Sequence, residues 1–324
     1  MKVYRSIDSL PADLKATVVT VGNFDGVHLG HQRILHDVVR EAGALGVTSF
    51  ALTFEPHPLR FLRPQQAPPL ITPPDERIAR LERTGLDAVL ILPFTRALSE
   101  LSARDFARII LRDALHAVSV HEGEQFRFGR AASGDLDTLK ELGAELGFTV
   151  HAHRPERVHR EVVSSSRIRE LLANGEVSRA RELLGSPFSI ESHPTAGRGY
   201  GARYTVPTIN LAPYTGLIPA NGVYITCMEI AGELFKAVTN IGTRPTFGEG
   251  GVVIESHLLN FHPIALGAST PVRLTFLARL RDEIRWESPE ALKTQIARDV
   301  VRATRYFRLM DALTSEVLPQ PLNH

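Results

Sequence analysis

Two histidines, His28 and His31, stand in the run Gly22-Asn23-Phe24-Asp25-Gly26-Val27-His28-Leu29-Gly30-His31-Gln32. Imidazoles at this spacing can both reach one phosphoryl group, and Gly30 between them lets the backbone approach it closely. Such a pair suits reactions in which negative charge develops on phosphate oxygens, because placed N–H donors stabilise that charge. With 13 His and 24 Gly among 324 residues, a chance His-x-Gly-His is expected about 0.04 times. The run reads as a phosphate-handling corner of the nucleotidyl-transfer kind. Further along, Ser164, Ser165 and Arg167 open a helical pattern and offer hydroxyls and a guanidinium suited to phosphate. Glu255 lies in an apolar strand-like run between Ile254 and Leu258, where an acid needs a partner or a task. Gly197, Gly199 and Gly201 lie in a glycine-rich segment with Arg198 and Arg203 that precedes Pro207-Thr208-Ile209-Asn210. Such a backbone can fold over phosphates.

The elements that must hold these groups follow from periodicity. Strand-like runs at Ala16–Val21, Val47–Phe54, Ala88–Leu92, Val118–His121 and Phe148–His151 alternate with helical patterns near Gln32–Ala44, Asp75–Thr84, Ala103–Leu115 and Asp135–Leu146. This alternation predicts a parallel sheet of Rossmann type covered by helices on both faces, with ligands beyond the C-terminal strand ends. His28 and His31 follow the first such end and open the next helix, where free N–H groups and the positive end of the helix dipole favour an anion. After two short helices, Ser166–Ala173 and Val177–Leu184, the pattern changes at Gly185–Phe188. Turn-rich strands at Val223–Ile230, Leu234–Val238, Val252–Leu258 and Val272–Leu280 then predict an antiparallel barrel. A long helix closes it, capped by Ser288 with Pro289 first, and Leu292, Ile296, Val300, Ala303 and Phe307 form the expected buried stripe. The expected domains are residues 1–184 and 185–310, followed by a tail over 311–324.

Composition narrows the class. A formal charge of +1 from 37 basic and 36 acidic residues, with no dense basic run, disfavours nucleic acid. A single cysteine, Cys227, excludes a disulfide framework and any multi-cysteine zinc site. No apolar stretch is long enough for a membrane span or signal segment, so the chain reads as cytoplasmic.

Seven motifs, in order, carry a family resemblance. Gly22–Gln32, Thr53-Phe54-Glu55-Pro56-His57-Pro58, Gly123–Gly129 and Ser164–Arg169 resemble the adenylyltransferase half of prokaryotic bifunctional riboflavin kinase/FAD synthetases. Pro207–Asn210, Asn240–Thr246 and Glu255–Leu259 resemble the kinase half. The resemblance implies that riboflavin is phosphorylated by ATP to FMN, and that FMN is adenylylated to FAD with release of pyrophosphate. It implies phosphate contacts at Gly22, Asn23, Phe24, His28, Gly30, His31, Ser164, Ser165 and Arg167, with Gly199 and Gly201 serving the second ATP. It places flavin near Phe54, Pro56, Phe126, Phe128 and Arg281. Mg²⁺ falls to Thr208 and Asn210, and Glu255 becomes the base. On residue type alone, Phe126 and Phe128 fit a core at least as well, and Pro-Thr-x-Asn alone is most often a turn. Gln125, Thr205 and Trp286 depart from the family's usual residues. Expected partners are riboflavin, FMN and ATP, with weak self-association and neither nucleic acid nor membrane. A competing reading keeps the adenylyltransferase and makes the barrel a flavin-binding module of weak or no kinase activity. Another His-x-Gly-His nucleotidyltransferase is a further alternative, disfavoured by the ordered motifs of the second half.

Overall fold

The computed structural model describes residues 1–195, 208–243, 251–262, 267, 269–284 and 287–317. It divides into two compact units, Met1–Arg167 and Ile168–His324.

The first unit is built on six parallel strands, β1 (Lys2–Tyr4), β2 (Thr17–Val21), β3 (Thr48–Glu55), β4 (Ala88–Pro93), β5 (Ala117–Gly123) and β6 (Thr149–His153). Their spatial order is β1-β4-β3-β2-β5-β6. Helices α1 (Leu29–Leu45), α2 (Pro58–Leu62), α3 (Pro74–Glu82), α4 (Arg96–Glu100), α5 (Ala103–Phe106) and α6 (Leu136–Leu146) connect them, and α5 continues as a wider π-type helix over Ala107–Ala114. Every residue of β2 is buried, as a strand covered on both faces requires. Its alternate side chains serve two cores. Val19 and Val21 join Phe50, Leu52 and Leu90 on one face. Val18 joins Ala51, Val89 and the α1 residues Leu35, Val38 and Ala42 on the other. Asp135 caps α6 by accepting the Thr138 N–H at 2.9 Å, and Gly147 ends that helix with φ 88°. Because the strand order reverses at β2, with β3 on one side and β5 on the other, a crevice opens beyond its C-terminal end. The corner following Val21 lies there.

A two-strand hairpin, β7 (Arg157–Val158) and β8 (Glu161–Val162), precedes α7 (Ser165–Ala173) and α8 (Val177–Leu184). The packing boundary at 167/168 falls earlier than the pattern change at Gly185–Phe188 because these helices pack with the barrel. The Ala220 N–H donates to the Leu172 carbonyl at 3.0 Å, Ser178 Oγ donates to the Leu277 carbonyl at 3.2 Å, and Arg279 donates to the Asn174 carbonyl at 3.0 Å.

The second unit's sheet comprises β9 (Ser189–Ser192), β10 (Pro194–Thr195), β11 (Thr208–Leu211), β12 (Gly222–Ile230), β13 (Glu233–Thr243), β14 (Val252–Leu258) and β15 (Val272–Arg281). All pairings are antiparallel, in the order β10-β11-β14-β13-β12-β15-β9. A flat sheet of this width would hold its edges about 29 Å apart. Ser192 and Pro194 occupy opposite edges yet are two residues apart, so the sheet must curl until its edges meet. The seam is fastened where the Ala212 N–H donates to the His193 carbonyl at 2.9 Å and Ser192 Oγ to the Ala212 carbonyl at 3.2 Å. One face of the curled sheet buries Tyr224, Met228, Ile241, Ile254 and Phe276. A hydroxyl ladder crosses the same face, with Thr226–Thr239 at 2.7 Å and Thr239–Ser256 at 2.8 Å. The opposite face, with Val223, Ile225 and Val238, packs against Ala303 and Phe307 of the final helix α9 (Pro289–Val317).

Two expectations change. Strands β1, β9, β10 and β11 were not marked by pattern, because runs of two to four residues are too short to show alternation. Ser288 caps α9 as expected, accepting the Ala291 N–H at 3.1 Å. The α9 stripe, however, is buried only at Ala303 and Phe307, while Leu292 and Ile296 are 40% and 41% exposed. The sheet face that receives the stripe is matched only by the later turns of the helix. Gly199, Gly201, Arg198, Arg203, Thr205, Pro207, Arg244–Thr246 and Trp286 lie outside the described residues.

Candidate active sites

The corner beyond β2 is tightly folded. Phe24, Gly26 and Val27 have φ of 49°, 87° and 41°, left-handed values that non-glycine residues adopt only when surroundings enforce them. The buried Asp25 carboxylate supplies much of that enforcement. It accepts the N–H groups of Ile71 and Thr72, each at 3.0 Å. Thr72 Oγ1 accepts the Gly26 N–H at 3.1 Å, and Gln32 donates to the Val27 carbonyl at 2.8 Å. Buried Arg77 of α3 donates to the Asn23 carbonyl at 3.1 Å. Burial pulls its pKa down against the opposing effect of Glu55 and Asp25.

His28 caps α1, its Nδ1 accepting the His31 N–H at 3.3 Å. The two imidazoles stack with centroids 3.7 Å apart and planes 12° from parallel, and Phe24 meets His31 edge-on at 5.3 Å. The glycines are set by these rings. A Cβ on Gly30 would stand 3.3 Å from the His28 ring, and one on Gly22 3.1 Å from Phe24. Burial, and then the neighbouring His28, hold the His31 pKa well below its ordinary value, so His31 is neutral near pH 7. Its Nδ1 is buried with no hydrogen-bond partner. Such an atom is costly to leave unsatisfied, and a phosphate oxygen would satisfy it. Beneath the corner, Glu122 accepts the Val21 N–H at 2.5 Å, and burial pushes its carboxyl well above the usual carboxylate range.

The start of α7 is fastened to this corner, since Ser165 Oγ donates to the Asp25 carbonyl at 2.9 Å. Ser164 Oγ accepts the Arg167 N–H at 3.2 Å, and Arg167 pairs with Glu161. The structure therefore brings Gly22, Asn23, Phe24, His28, Gly30, His31 and Ser165 into one neighbourhood, with Ser164 and Arg167 at the adjoining helix start.

The aromatic residues divide. Phe54, next to last in β3, meets Phe94 edge-on at 5.7 Å, with Pro56 just beyond the strand, and Phe61 also meets Phe94 edge-on at 5.8 Å. Phe126 stacks on Phe128 at 5.4 Å, but Phe128 is enclosed in the core against Phe106. The core position of Phe128, 6% exposed, counts against the flavin contact expected there. Phe126 is half-buried, while Gln125 is exposed.

In the second unit, Asn210 of β11 faces Glu255 of β14 across the ladder, and Asn240 of β13 faces Glu255 from the other side. Thr208 shares a strand face with Asn210, two residues away. Ser256 points to the hydroxyl ladder, so Glu255 lies on the opposite face, the one that α9 partly covers. Oxygen donors from Thr208 and Asn210 beside a carboxylate suit a hard divalent cation. Arg281 of β15 directs both Nε and an amino group to buried Asp299 of α9 at 2.9 Å, and Gln295 donates to the other carboxylate oxygen. Its fork is occupied by the helix, so any effect on flavin would be indirect.

Sequence reasoning missed Asp25 and Arg77 as the groups that shape the corner. Asp25 lay inside the quoted motif, and Arg77 stands one helical turn from buried Leu81 on the same face of α3.

Comparison with known proteins agrees with this arrangement. The FAD synthetase family model matches residues 10–167 and the riboflavin kinase model residues 184–307. A bifunctional riboflavin kinase/FMN adenylyltransferase of Pseudomonas fluorescens is 38% identical over 94% of this chain and 97% of its own length. That of Escherichia coli K12 is 32% identical over 95% and 99%. A crystal structure titled as a macrolide-efflux protein of Streptococcus pneumoniae matches with a TM-score of 0.82 at 25% identity, covering 92% of this chain and 96% of its own. That likeness is one of fold. The parallel-sheet unit with its histidine corner, the closed antiparallel sheet and near-full-length relatives establish that this chain belongs to the bifunctional riboflavin kinase/FMN adenylyltransferase family.

Proposed function

We propose that the first unit transfers adenylyl to FMN at the His28–His31 corner, and that the second phosphorylates riboflavin on the face carrying Glu255. In the first reaction, a phosphate oxygen of FMN attacks the α-phosphorus of ATP and pyrophosphate departs. Both reactants are anionic, so the chain must gather them and stabilise the charge that builds at phosphorus. His28 and His31 offer imidazole N–H groups. The α1 start and Gly22–Gly30 offer backbone N–H groups, and Ser164, Ser165 and Arg167 bound the other side of the polyphosphate. Phe54, Pro56 and Phe126 flank the flavin. The single observation that carries this reading is the stacked imidazole pair at the start of α1, in which the buried Nδ1 of His31 has no partner.

In the second reaction, Glu255 accepts the proton of the ribityl hydroxyl as that oxygen attacks the γ-phosphorus and ADP departs, with Asn210 and Asn240 orienting the carboxylate. Mg²⁺, held by Thr208 and Asn210, would neutralise phosphate charge when bound. Gly199 and Gly201 belong to the segment proposed to cover this ATP. The halves are proposed to act as separate modules.

Among the described residues no helix is long and apolar enough to cross a membrane. A cytoplasmic setting, weak self-association and substrates limited to riboflavin, FMN and ATP complete the proposal. Purified protein incubated with riboflavin, ATP and Mg²⁺, with products resolved by chromatography, should yield FMN and then FAD. FAD formed only from added FMN would leave the barrel as a flavin-binding module.

A further inference from the structure

A second histidine cluster lies in the first unit, well away from the corner. Glu41 stands ten residues beyond His31 on α1, about 15 Å along the helix. His121 lies on β5, and His151 and His153 lie on the neighbouring β6. Glu41 Oε2 is 2.6 Å from His121 Nε2 and 3.5 Å from His151 Nε2. One ligand atom from each of Glu41, His121 and His151 falls within a sphere of mutual distances no larger than 4.8 Å. The His121 and His151 rings are stacked at 4.6 Å, which turns both Nε2 atoms toward the same carboxylate.

The geometry points to a binding site for a divalent transition metal of the zinc class, with Glu41 Oε2, His121 Nε2 and His151 Nε2 as its protein ligands. Tetrahedral zinc with bonds near 2.0–2.1 Å sets its ligands about 3.3 Å apart. The Glu41–His151 separation already approximates that, and the Glu41–His121 contact opens by about 0.7 Å when the metal replaces the proton shared there. Two imidazoles and one carboxylate form a donor set suited to zinc-like ions and poorly suited to magnesium. His121 is 5% exposed, Glu41 25% and His151 49%, so the fourth position faces solvent and the ion has an entry path.

The groups behind the ligands support this assignment more specifically than the ligands do. His121 Nδ1 lies 2.9 Å from His153 Nε2, and His153 Nδ1 lies 3.5 Å from an Asp37 oxygen. A metal-bound imidazole ordinarily donates its other N–H to a partner that fixes its tautomer. Here metal at His121 Nε2 moves the His121 proton to Nδ1, which donates to His153 Nε2. His153 then carries its own proton on Nδ1, directed at Asp37. Both rings stay neutral and no proton is lost to solvent. Without metal, a His121 that donates from Nε2 to Glu41 makes the His153 Nδ1–Asp37 approach unproductive. The bound ion would tie α1, which carries His28 and His31 at its start, to β5 and β6.

The test uses the full chain, freed of metal by chelation and kept in excess Mg²⁺ so that hard-oxygen sites are occupied. Titration with Zn²⁺, and with Co²⁺ followed by its visible absorption, should show one equivalent bound. His151→Ala, at a half-exposed position, and Glu41→Gln, of unchanged shape, should each weaken binding at least tenfold. Asp37→Asn should weaken it about 10–100-fold, whereas the control His36→Ala on the exposed side of α1 should not. Zn²⁺ should raise the melting temperature of the wild type and not of His151→Ala. Absence of Zn²⁺ binding by the wild type, or equal binding by wild type, His151→Ala and Glu41→Gln, overturns the assignment.

Discussion

The two units assemble their proposed reacting groups in opposite ways. In the parallel unit, the imidazole pair comes from one turn of chain, and the surrounding structure mainly bends that turn. Asp25, Thr72 and Arg77 hold a backbone whose φ values at Phe24 and Val27 would otherwise be unfavourable. In the antiparallel unit no short segment contains the proposed site. Asn210, Asn240 and Glu255 come from three strands and meet only through ladder register. A contiguous site is thus sensitive to local backbone geometry, and a dispersed one to the integrity of the whole sheet.

The largest expected effect separates the two chemistries. Glu255→Gln keeps the side chain's shape but removes the proton acceptor, so single-turnover FMN formation should fall by about 10²–10⁴. FAD formation from added FMN should stay at the wild-type rate. An unchanged chemical step would make Glu255 an ordinary strand residue. In the other unit, His28→Ala or His31→Ala should slow FAD formation by about 10²–10³ while sparing riboflavin phosphorylation. Equal losses in both reactions would mean that the units are not chemically independent.

A smaller effect tests where the barrel unit begins. A fragment starting at Ile168 retains α7 and α8, whereas one starting at Gly185 strips away the packing of Leu171, Leu172, Val177, Ala180, Leu183 and Leu184, all buried. The shorter fragment should melt at a lower temperature by circular dichroism. Matching melts would return the boundary to Gly185–Phe188.

The smallest effect is a pH dependence of the parallel unit. Burial raises the Glu122 carboxyl well above its ordinary value of 4.5, so the folded chain keeps a proton that the unfolded chain releases. The resulting stability is fully present below about 4.5 and is lost as pH rises toward the folded value. Glu122→Gln removes this dependence. The difference in melting temperature between variant and wild type should grow from pH 4.5 upward, and a pH-independent difference would show that Glu122 does not titrate in that window.

Much of the parallel unit was legible because its signals are local. The His-x-Gly-His spacing, the uninterrupted apolar run of β2 and the Asp135 and Gly147 boundaries of α6 each lie within a few residues. Long barrel strands such as Val252–Leu258 were legible for the same reason. What escaped depends on partners distant in the chain. Strands β9 and β10 exist only because a curled sheet offers them edges, and the exposure of Leu292 and Ile296 depends on where the receiving surface ends. Glu41 and His121 touch only after β5 is laid beside β2. The one local hint of that cluster was His151-Ala152-His153, whose two rings alternate strand spacing places on one face. Phe128 was ambiguous from residue type alone, and its packing against Phe106 and Phe126 favours the core reading.

The seam between Ser192 and Pro194 has a consequence for synthesis. β9 pairs with β15, about 80 residues later in the chain. At ordinary elongation rates of about 5–20 residues per second, the partner of β9 emerges from the ribosome roughly 4–16 seconds after β9 itself. Over that interval Ile190, fully buried in the finished barrel, has no strand to cover it, although the sheet of the parallel unit is already complete. The nascent chain therefore passes through a stage in which one enzyme can close and the other still carries an open, apolar edge. Chaperone capture of stalled chains should be strongest for those arrested between β9 and β15.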